Sequence, residues 1–85
     1  MARFDRRSRT PTVKSQANQQ LARAMRELRR LRGESQEDFA RRAGIDRSYY
    51  GALERAEYNV GLDKIVQIAA ALEVSACDLL GVAEL

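Results

Sequence analysis

Residues 36–55, QEDFARRAGIDRSYYGALER, decide the fold of this chain. Ala40 is small enough to lie where the axes of two short helices cross, and Gly44 tolerates the positive φ that a tight turn between them requires. Apolar residues that can form a shared core stand on both sides of that turn: Phe39, Ala43, Ile45, Tyr50 and Leu53. The stretch therefore predicts two short helices, over 36–43 and about 46–55, joined by a tight turn.

Helical signals continue on both sides of this pair. Ser35, Asp46 and Ser75 stand where three helices would begin, and serine and aspartate are favoured N-caps. Gly33 and Gly81 stand where the first and fifth helices would end. Apolar residues recur at helical spacing in the flanking segments: Leu21, Ala24, Met25, Leu28 and Leu31 from residue 18 onward, then Leu62, Ile65, Val66, Ile68, Ala69 and Leu72, then Ala76, Leu79 and Leu80. No stretch alternates long enough to predict a strand, so the predicted fold class is all-α, with five short helices.

Charge is distributed unevenly along the 85 residues, whose net charge is +3. Residues 1–17 contain five basic side chains and one acidic one, residues 18–55 contain nine and six, and residues 56–85 contain one and five. The first segment also contains Pro11 and few apolar residues, which predicts a basic, flexible N-terminal arm over 1–17 and one folded domain over 18–85. A basic front and an acidic rear favour a polyanionic partner at the front; the alternative is an ordinary solvated surface.

Composition argues against several other classes of protein. The longest uninterrupted apolar run is five residues, 68–72, which is too short to span a membrane. No apolar segment near the N-terminus has the form of a secretory signal, so the predicted location is cytoplasmic. The chain has no histidine, no cluster with the spacing of metal ligands and no phosphate-binding glycine loop, and its single cysteine, Cys77, is interpreted as a packing residue. Neither catalysis nor a cofactor nor a metal site is predicted.

The central pair of helices has the arrangement of a helix-turn-helix, whose second helix enters the major groove of DNA. Through MRELRRLRGESQEDFARRAG (25–44), IDRSYYGALE (45–54) and LDKIVQIAAALEVSACDLL (62–80), the chain resembles the Cro and phage-repressor family, also called XRE-type, over residues 21 to about 81. The small size, with no ligand-sensing domain attached, is similar to restriction–modification controller proteins and stand-alone phage repressors. The resemblance implies a transcriptional regulator, repressor or activator, that binds a palindromic operator in double-stranded DNA as a homodimer, with the recognition helix at about 46–55.

One side of the predicted recognition helix carries the residues expected to meet bases. At about 100° per residue, this side holds Arg47, Ser48, Gly51 and Ala52. Arginine can bond guanine with both arms, serine can bond a base or a phosphate, and alanine can contact a thymine methyl group; the resemblance assigns base contacts to Arg47, Ser48 and Ala52. Glycine lowers helix stability by about 1 kcal/mol relative to alanine. Gly51 is therefore interpreted as allowing close approach to the groove; the alternative is relief of crowding beside the two tyrosines.

The predicted phosphate contacts lie at the start of the second helix, on the recognition helix and in the loop after it: Gln36, Tyr49, Arg55, Tyr58 and Asn59. The N-terminus of a helix favours an anion near Gln36. The resemblance implies contacts with the DNA backbone for Gln36 and Asn59. Tyr49 either donates its hydroxyl to a phosphate or covers the core.

The chain departs from the family pattern in and after the recognition helix. Arg55-Ala56 stands where Asn-Gly is usual, and Val60 stands where Pro is usual, so the helix could run on and the loop could differ. Tyr50 stands where the residue is usually aliphatic, and a buried tyrosine hydroxyl requires a hydrogen-bond partner. These departures leave the motif intact but leave the detailed phosphate contacts open.

The resemblance also implies contacts within the fold and between copies. Arg29 and Glu54 match a family pair that links the first helix to the recognition helix; the alternative is two separate surface charges. The apolar end of the chain is the predicted dimer contact, unless it completes the monomer core: Leu79, Leu80, Val82 and Leu85. The acidic rear could meet RNA polymerase, and the arm could follow the minor groove or remain a solvated tail. A protein-binding module such as an antitoxin is the alternative function for the same fold.

Overall fold

The computed structural model describes residues 15–85, and within them the chain forms five helices and no strand. The helices are α1 (Gln16–Leu31), α2 (Gln36–Ala43), α3 (Arg47–Glu54), α4 (Leu62–Leu72) and α5 (Ala76–Val82). The predicted all-α, five-helix fold class is therefore confirmed. The arm predicted over 1–17 lies outside the described residues except for its last three positions, of which Ser15 caps α1 and the other two begin it.

Local contacts set the ends of the helices in the central pair. The Ser35 hydroxyl accepts a hydrogen bond from the backbone N–H of Asp38 at 3.0 Å. The Asp46 carboxylate accepts one from the backbone N–H of Tyr49, also at 3.0 Å. Gly44 follows α2 in the left-handed conformation, with φ of 75°. Ser35 therefore sets the start of α2, while Gly44 and Asp46 set the end of α2 and the start of α3 and so position the turn between the two helices.

The chain leaves α3 through a tight turn. Arg55 is the C-cap, and Ala56 has φ of 60°, a left-handed conformation that costs a non-glycine residue about 1–2 kcal/mol. The backbone N–H of Glu57 then donates to the carbonyl oxygen of Ala52 at 3.0 Å. The helix therefore does not run on, and alanine adopts the conformation at the position where glycine is usual in the family.

The core is shared by all five helices. Phe39 of α2 and Tyr50 of α3 are fully buried, with ring centroids 5.0 Å apart. Helix α2 packs against α3 and α4, α1 packs against α3, and α5 packs against α1 and α4. The buried cluster comprises Leu21, Ala24, Met25, Phe39, Ala40, Ile45, Tyr50, Leu53, Ile68, Ala69, Leu72, Leu79 and Ala83.

Three apolar residues from the predicted helical faces are exposed instead. Leu31 is the last residue of α1 and stands at the edge of its apolar stripe, so no other helix covers it. Leu62 and Val66 lie at one edge of the apolar face of α4, which is broader than the surface that α2 and α5 cover.

The apolar residues at the end of the chain divide between core and surface. Leu79 is fully buried, so the prediction that it forms a dimer contact is wrong; it belongs to the core that α5 forms with α1 and α4. Leu80 packs partly against the same core, whereas Val82 and Leu85 are 38% and 55% exposed. The fifth helix also continues through Gly81 instead of ending there, since it runs to Val82.

An ion-pair network ties the turn between α1 and α2 to the end of α4. The Glu34 carboxylate accepts two hydrogen bonds from Arg42, both at 2.8 Å, and one from Arg32 at 3.0 Å. Arg42 also donates to the carbonyl oxygen of Ala71 at 2.6 Å, and Arg32 donates to Glu73 at 3.0 Å. The bonds from Arg42, and then those from Arg32, outweigh partial burial and lower the pKa of Glu34 to about 2.

In the described part of the chain, no single helix is long and apolar enough to cross a membrane. Only α4 and α5 together reach that length and composition, and the chain bends by 89° between them. Ile68, Leu72 and Leu79 of this bent pair lie in the core.

Candidate nucleic-acid interface

The N-terminal end of α3 presents two of the residues predicted to contact bases. Arg47 is the first residue of the helix and Ser48 is the second, and both are exposed. Within residues 15–85, no hydrogen bond or ion pair engages the Arg47 guanidinium. This end of the helix therefore offers solvent an extended cation and a hydroxyl group.

Gly51 and Ala52 are buried, which contradicts the prediction that they meet bases. Two side chains cover Gly51, because a Cβ atom placed there would lie 3.2 Å from Arg55 Nη1 and 3.5 Å from Gln36 Oε1. Ala52 is only 6% exposed, and its carbonyl oxygen accepts a hydrogen bond from the backbone N–H of Glu57. The glycine therefore makes room for the side chains of Arg55 and Gln36, which neither interpretation from the sequence had proposed.

Two of the predicted phosphate contacts, Gln36 and Arg55, meet above Gly51. Gln36 Nε2 donates to Glu54 Oε1 at 2.8 Å, and Arg55 Nε donates to Glu57 Oε2 at 2.8 Å. A carboxylate thus holds each of these side chains. Sequence reasoning missed Glu57, because helical periodicity says nothing about a carboxylate in the loop that follows the helix.

Of the other three predicted phosphate contacts, Tyr49 lies in the first half of α3, and Tyr58 and Asn59 lie in the loop between α3 and α4. The rings of Tyr49 and Tyr58 are tilted against each other with centroids 5.6 Å apart, and Lys64 Nζ lies 5.9 Å from the Tyr49 centroid. The side-chain oxygen of Asn59 accepts a hydrogen bond from the amide of Asn18, which joins the start of α1 to the loop. Lys64 and Asn18 were not predicted, since only the packing of distant segments brings them to this surface.

Arg29 and Glu54 form a buried, bidentate ion pair that joins α1 to α3. Arg29 Nε lies 2.7 Å from Glu54 Oε2, Nη2 lies 3.0 Å from Oε1, and the two side chains are 8% and 1% exposed. Burial alone would raise the pKa of Glu54, but the hydrogen bonds from Arg29 and Gln36 help to outweigh it, so the pKa is lowered. Arg26 Nη1 also donates to the backbone carbonyl oxygen of Glu54 at 2.8 Å. The C-terminal end of α3 is therefore held by α1 and α2, and the two charges are not separate surface charges.

The Tyr50 hydroxyl is the single buried side-chain oxygen or nitrogen in the described residues that has no hydrogen-bond partner. Glu54 and Arg29 are near enough for their charges to act on it, but neither forms a hydrogen bond of ordinary geometry with it. Burial, and then the Glu54 carboxylate, raise the pKa of Tyr50 far above its usual range, so the hydroxyl stays neutral. The partner that a buried tyrosine requires is therefore missing.

Replacing Tyr50 with phenylalanine is expected to raise the free energy of unfolding by about 1 kcal/mol, because it removes a buried hydroxyl without a partner. The ring keeps its packing against Phe39. Urea denaturation at pH 7 measures the change, and Tyr58→Phe is the matched control because its ring is exposed. A loss of stability in Tyr50→Phe would instead mean that the hydroxyl forms a stabilising bond with Glu54.

Comparison with known proteins finds relatives of the segment that carries this surface. A family model described as helix-turn-helix matches residues 25–79. A hypothetical transcription factor from Neisseria meningitidis is 48% identical over 60 residues, which cover 71% of this chain and 57% of that protein. The chain therefore spans less than two thirds of the length of this relative.

Solved structures with a similar fold include two controller proteins. The restriction-modification controller protein C.AhdI from Aeromonas hydrophila is 40% identical, with a TM-score of 0.70 over 73% of this chain and 94% of that one. The controller protein C.Esp1396I, solved as a tetramer in complex with its natural 35 base-pair operator, is 26% identical, with a TM-score of 0.77 over 82% and 92%. The segment that the family model matches contains α2, α3 and both members of the Arg29–Glu54 pair.

Proposed function

Because the chain belongs to the helix-turn-helix family, we propose that it regulates transcription by binding double-stranded DNA sequence-specifically, with α3 in the major groove. The observation that carries the proposal is the contrast between the two ends of α3. Arg47 and Ser48 are exposed at one end, while the buried Arg29–Glu54 pair holds the other. A recognition helix must be both accessible and firmly oriented to distinguish bases, and α3 meets both conditions.

The contacts are divided between bases and phosphates. Arg47 is assigned to a guanine, whose O6 and N7 accept both arms of a guanidinium, and Ser48 to the neighbouring base or phosphate. The residues around α3 are assigned to the DNA backbone, which sets affinity and register without selecting sequence: Gln36, Tyr49, Arg55, Tyr58 and Asn59.

A homodimer on a palindromic operator completes the proposal. Val82 and Leu85 remain exposed at the end of the chain, and apolar side chains gain free energy when a second copy covers them. The assembly of C.Esp1396I as a tetramer on its natural operator supports self-association in a relative that is 26% identical. Two copies related by a two-fold axis would place their recognition helices about 34 Å apart, one turn of DNA.

The remaining parts of the proposal concern location and other partners. We assign the protein to the cytoplasm, bound to the nucleoid, and assign it no catalytic activity, since occupying an operator requires none. If it activates transcription, the acidic residues of the segment 56–85 are its contact with RNA polymerase; if it represses, no such contact is needed.

Selection from a library of random-sequence duplexes tests the proposal. Wild-type protein should enrich a two-fold symmetric site with half-site centres about 10 base pairs apart. The affinity for that site should fall steeply as salt rises, because cationic side chains displace counterions from the phosphates. A selection that converges on no sequence, or an affinity that does not change with salt concentration, would count against DNA recognition and favour a protein-binding role.

A further inference from the structure

Arg55 is held by a carboxylate that lies outside every predicted contact. Its Nε donates to Glu57 Oε2 at 2.8 Å, and its Nη2 donates to Glu57 Oε1 at 3.4 Å. The carboxylate therefore occupies the edge of the guanidinium formed by Nε and Nη2. Arginine has five N–H donors in a rigid fork, so the opposite side, with Nη1, remains able to meet a second acceptor.

Gly51 provides the place on α3 where this guanidinium lies. A Cβ atom at this position would approach Arg55 Nη1 to 3.2 Å, closer than ordinary van der Waals contact. Gln36 Oε1 also lies close to this position, 3.5 Å from the same Cβ atom. The Gln36 amide is held by the hydrogen bond that its Nε2 donates to Glu54. Arg55 and Gln36 therefore lie together on the helix, each oriented by its own carboxylate.

Stability does not explain the Arg55–Glu57 pair. The two side chains are 56% and 42% exposed, and an ion pair so exposed contributes little to folding. The carboxylate also places negative charge beside the surface assigned to phosphates, which weakens binding to any DNA. What the pair supplies is orientation, because a flexible arginine that is already fixed loses less entropy when it binds.

We propose that Glu57 is a positioning residue for DNA binding: it orients Arg55 over Gly51 so that Nη1 and the second N–H of the Gln36 side-chain amide together donate to one backbone phosphate of the specific complex. The inference rests on the proposed function, since it requires α3 in the major groove. Random DNA does not hold its phosphates in the register of the specific complex, so it meets the negative charge of Glu57 without gaining the preset contact. Glu57 thereby raises the ratio of specific to non-specific affinity.

Glu57→Gln tests this proposal in the full chain, with affinities measured for the duplex that wild-type protein enriches and for a random-sequence duplex of equal length. The affinity for the random duplex should rise, since a negative charge is lost, while the ratio of the two affinities falls about fivefold. Asp78→Asn is the matched control because it removes the same charge from an exposed residue of α5. Its ratio should equal that of wild type, and an equally unchanged ratio in Glu57→Gln would overturn the proposal.

Gly51→Ala provides a second variant that changes no charge. Its Cβ occupies the space beside Arg55 Nη1, so the affinity ratio should fall here too, by a similar factor. The protein should remain folded and gain stability, because alanine is the better helix former. Discrimination as sharp as that of wild type would show that the position of Arg55 over α3 has no role in binding.

A measurement on the free protein separates the orientation of Arg55 by Glu57 from the binding of DNA. The Nε–H signal of Arg55 in the NMR spectrum of free wild-type protein should be resolved, because that proton is bonded to Glu57, and it should be lost by exchange with water in Glu57→Gln. Identical signals in both proteins would show that Glu57 does not orient Arg55. If wild-type protein enriches no sequence, the proposed function fails; if it enriches a site and the ratio in Glu57→Gln is unaltered, the function stands and the role of Glu57 is removed.

Discussion

Replacing Glu54 with glutamine is expected to lower the free energy of unfolding by about 3–5 kcal/mol, the range found when one partner of a buried ion pair is removed. Glu54 is 1% exposed and receives both arms of Arg29, whose side chain is 8% exposed. Glutamine keeps the size of the side chain, but it offers one acceptor oxygen and turns an amide N–H toward the guanidinium. Urea denaturation at pH 7, followed by circular dichroism, measures the loss.

The same substitution in an exposed pair is the matched control. Glu27 pairs with Arg23 one turn away on α1, where the two side chains are 50% and 38% exposed. Glu27→Gln should therefore change the free energy of unfolding by less than about 0.5 kcal/mol. Equal losses in the two variants would mean that burial adds nothing to the Arg29–Glu54 pair.

The buried pair also predicts how stability depends on pH. Burial alone would raise the pKa of Glu54, but the bonds from Arg29 and Gln36 help to outweigh it and the pKa is lowered in the folded protein. Such a group contributes stability that is complete above its unfolded pKa, about 4.3, and is lost as pH falls through the folded value. The difference between wild type and Glu54→Gln should therefore be constant near neutral pH and shrink below about pH 4. Glu34, whose pKa is lowered to about 2, titrates in the same range, but it does so in both proteins and cancels.

The bounds of α2 and the start of α3 could be predicted from the sequence because their signals are local. The Ser35 hydroxyl and the Asp46 carboxylate each accept a hydrogen bond from the backbone N–H three residues ahead. Gly44 reverses the chain direction by adopting a positive φ. None of these contacts depends on what the rest of the fold does. The segments that flank the pair were harder to predict, and α1 begins at Gln16, two residues before the start predicted at residue 18.

Exposure could not be predicted, because it depends on which other segment covers a side chain. Helical periodicity places Gly51 and Ala52 on the side of α3 that carries Arg47, but Gln36 and Arg55 cover Gly51, and Ala52 is only 6% exposed. Leu62 and Leu79 are both leucines at helical spacing in a predicted apolar face, so the sequence does not distinguish them. In the structure the first is exposed and the second is fully buried.

The ion pairs around α3 show the same limit. Arg29 and Glu54 are 25 residues apart, and no periodicity links them; only the family resemblance suggested that they meet. The resemblance could not suggest Glu57, which follows a departure from the family pattern at Arg55-Ala56. Residues specific to this chain therefore had to be found from contacts, and they are the ones that the proposal for Glu57 uses.

Replacing Arg47 with alanine is expected to weaken binding to the enriched duplex by about 1–3 kcal/mol and to relax the preference at one base pair in each half-site. Arg47 is exposed at the first position of α3, and nothing within the described residues holds its guanidinium. Both of its arms are therefore available for O6 and N7 of a guanine. Affinities for the enriched duplex and for its single-base variants, compared between wild type and Arg47→Ala, measure the effect.

Arg30→Ala separates base recognition from charge. Arg30 is an exposed arginine in the last turn of α1, so its replacement removes one positive charge and leaves α3 untouched. Because Arg30 is not assigned to DNA, Arg30→Ala should keep the base preferences of wild type. If Arg47 contacts only a phosphate, Arg47→Ala should weaken every duplex by a similar factor and lower the dependence of log affinity on log salt by about one. A loss of preference at one base pair, present in Arg47→Ala and absent from Arg30→Ala, would assign that base to Arg47. A uniform loss across all duplexes in Arg47→Ala would make Arg47 a phosphate contact and assign base recognition to Ser48, the other exposed residue in the first turn of α3 that was predicted to contact bases.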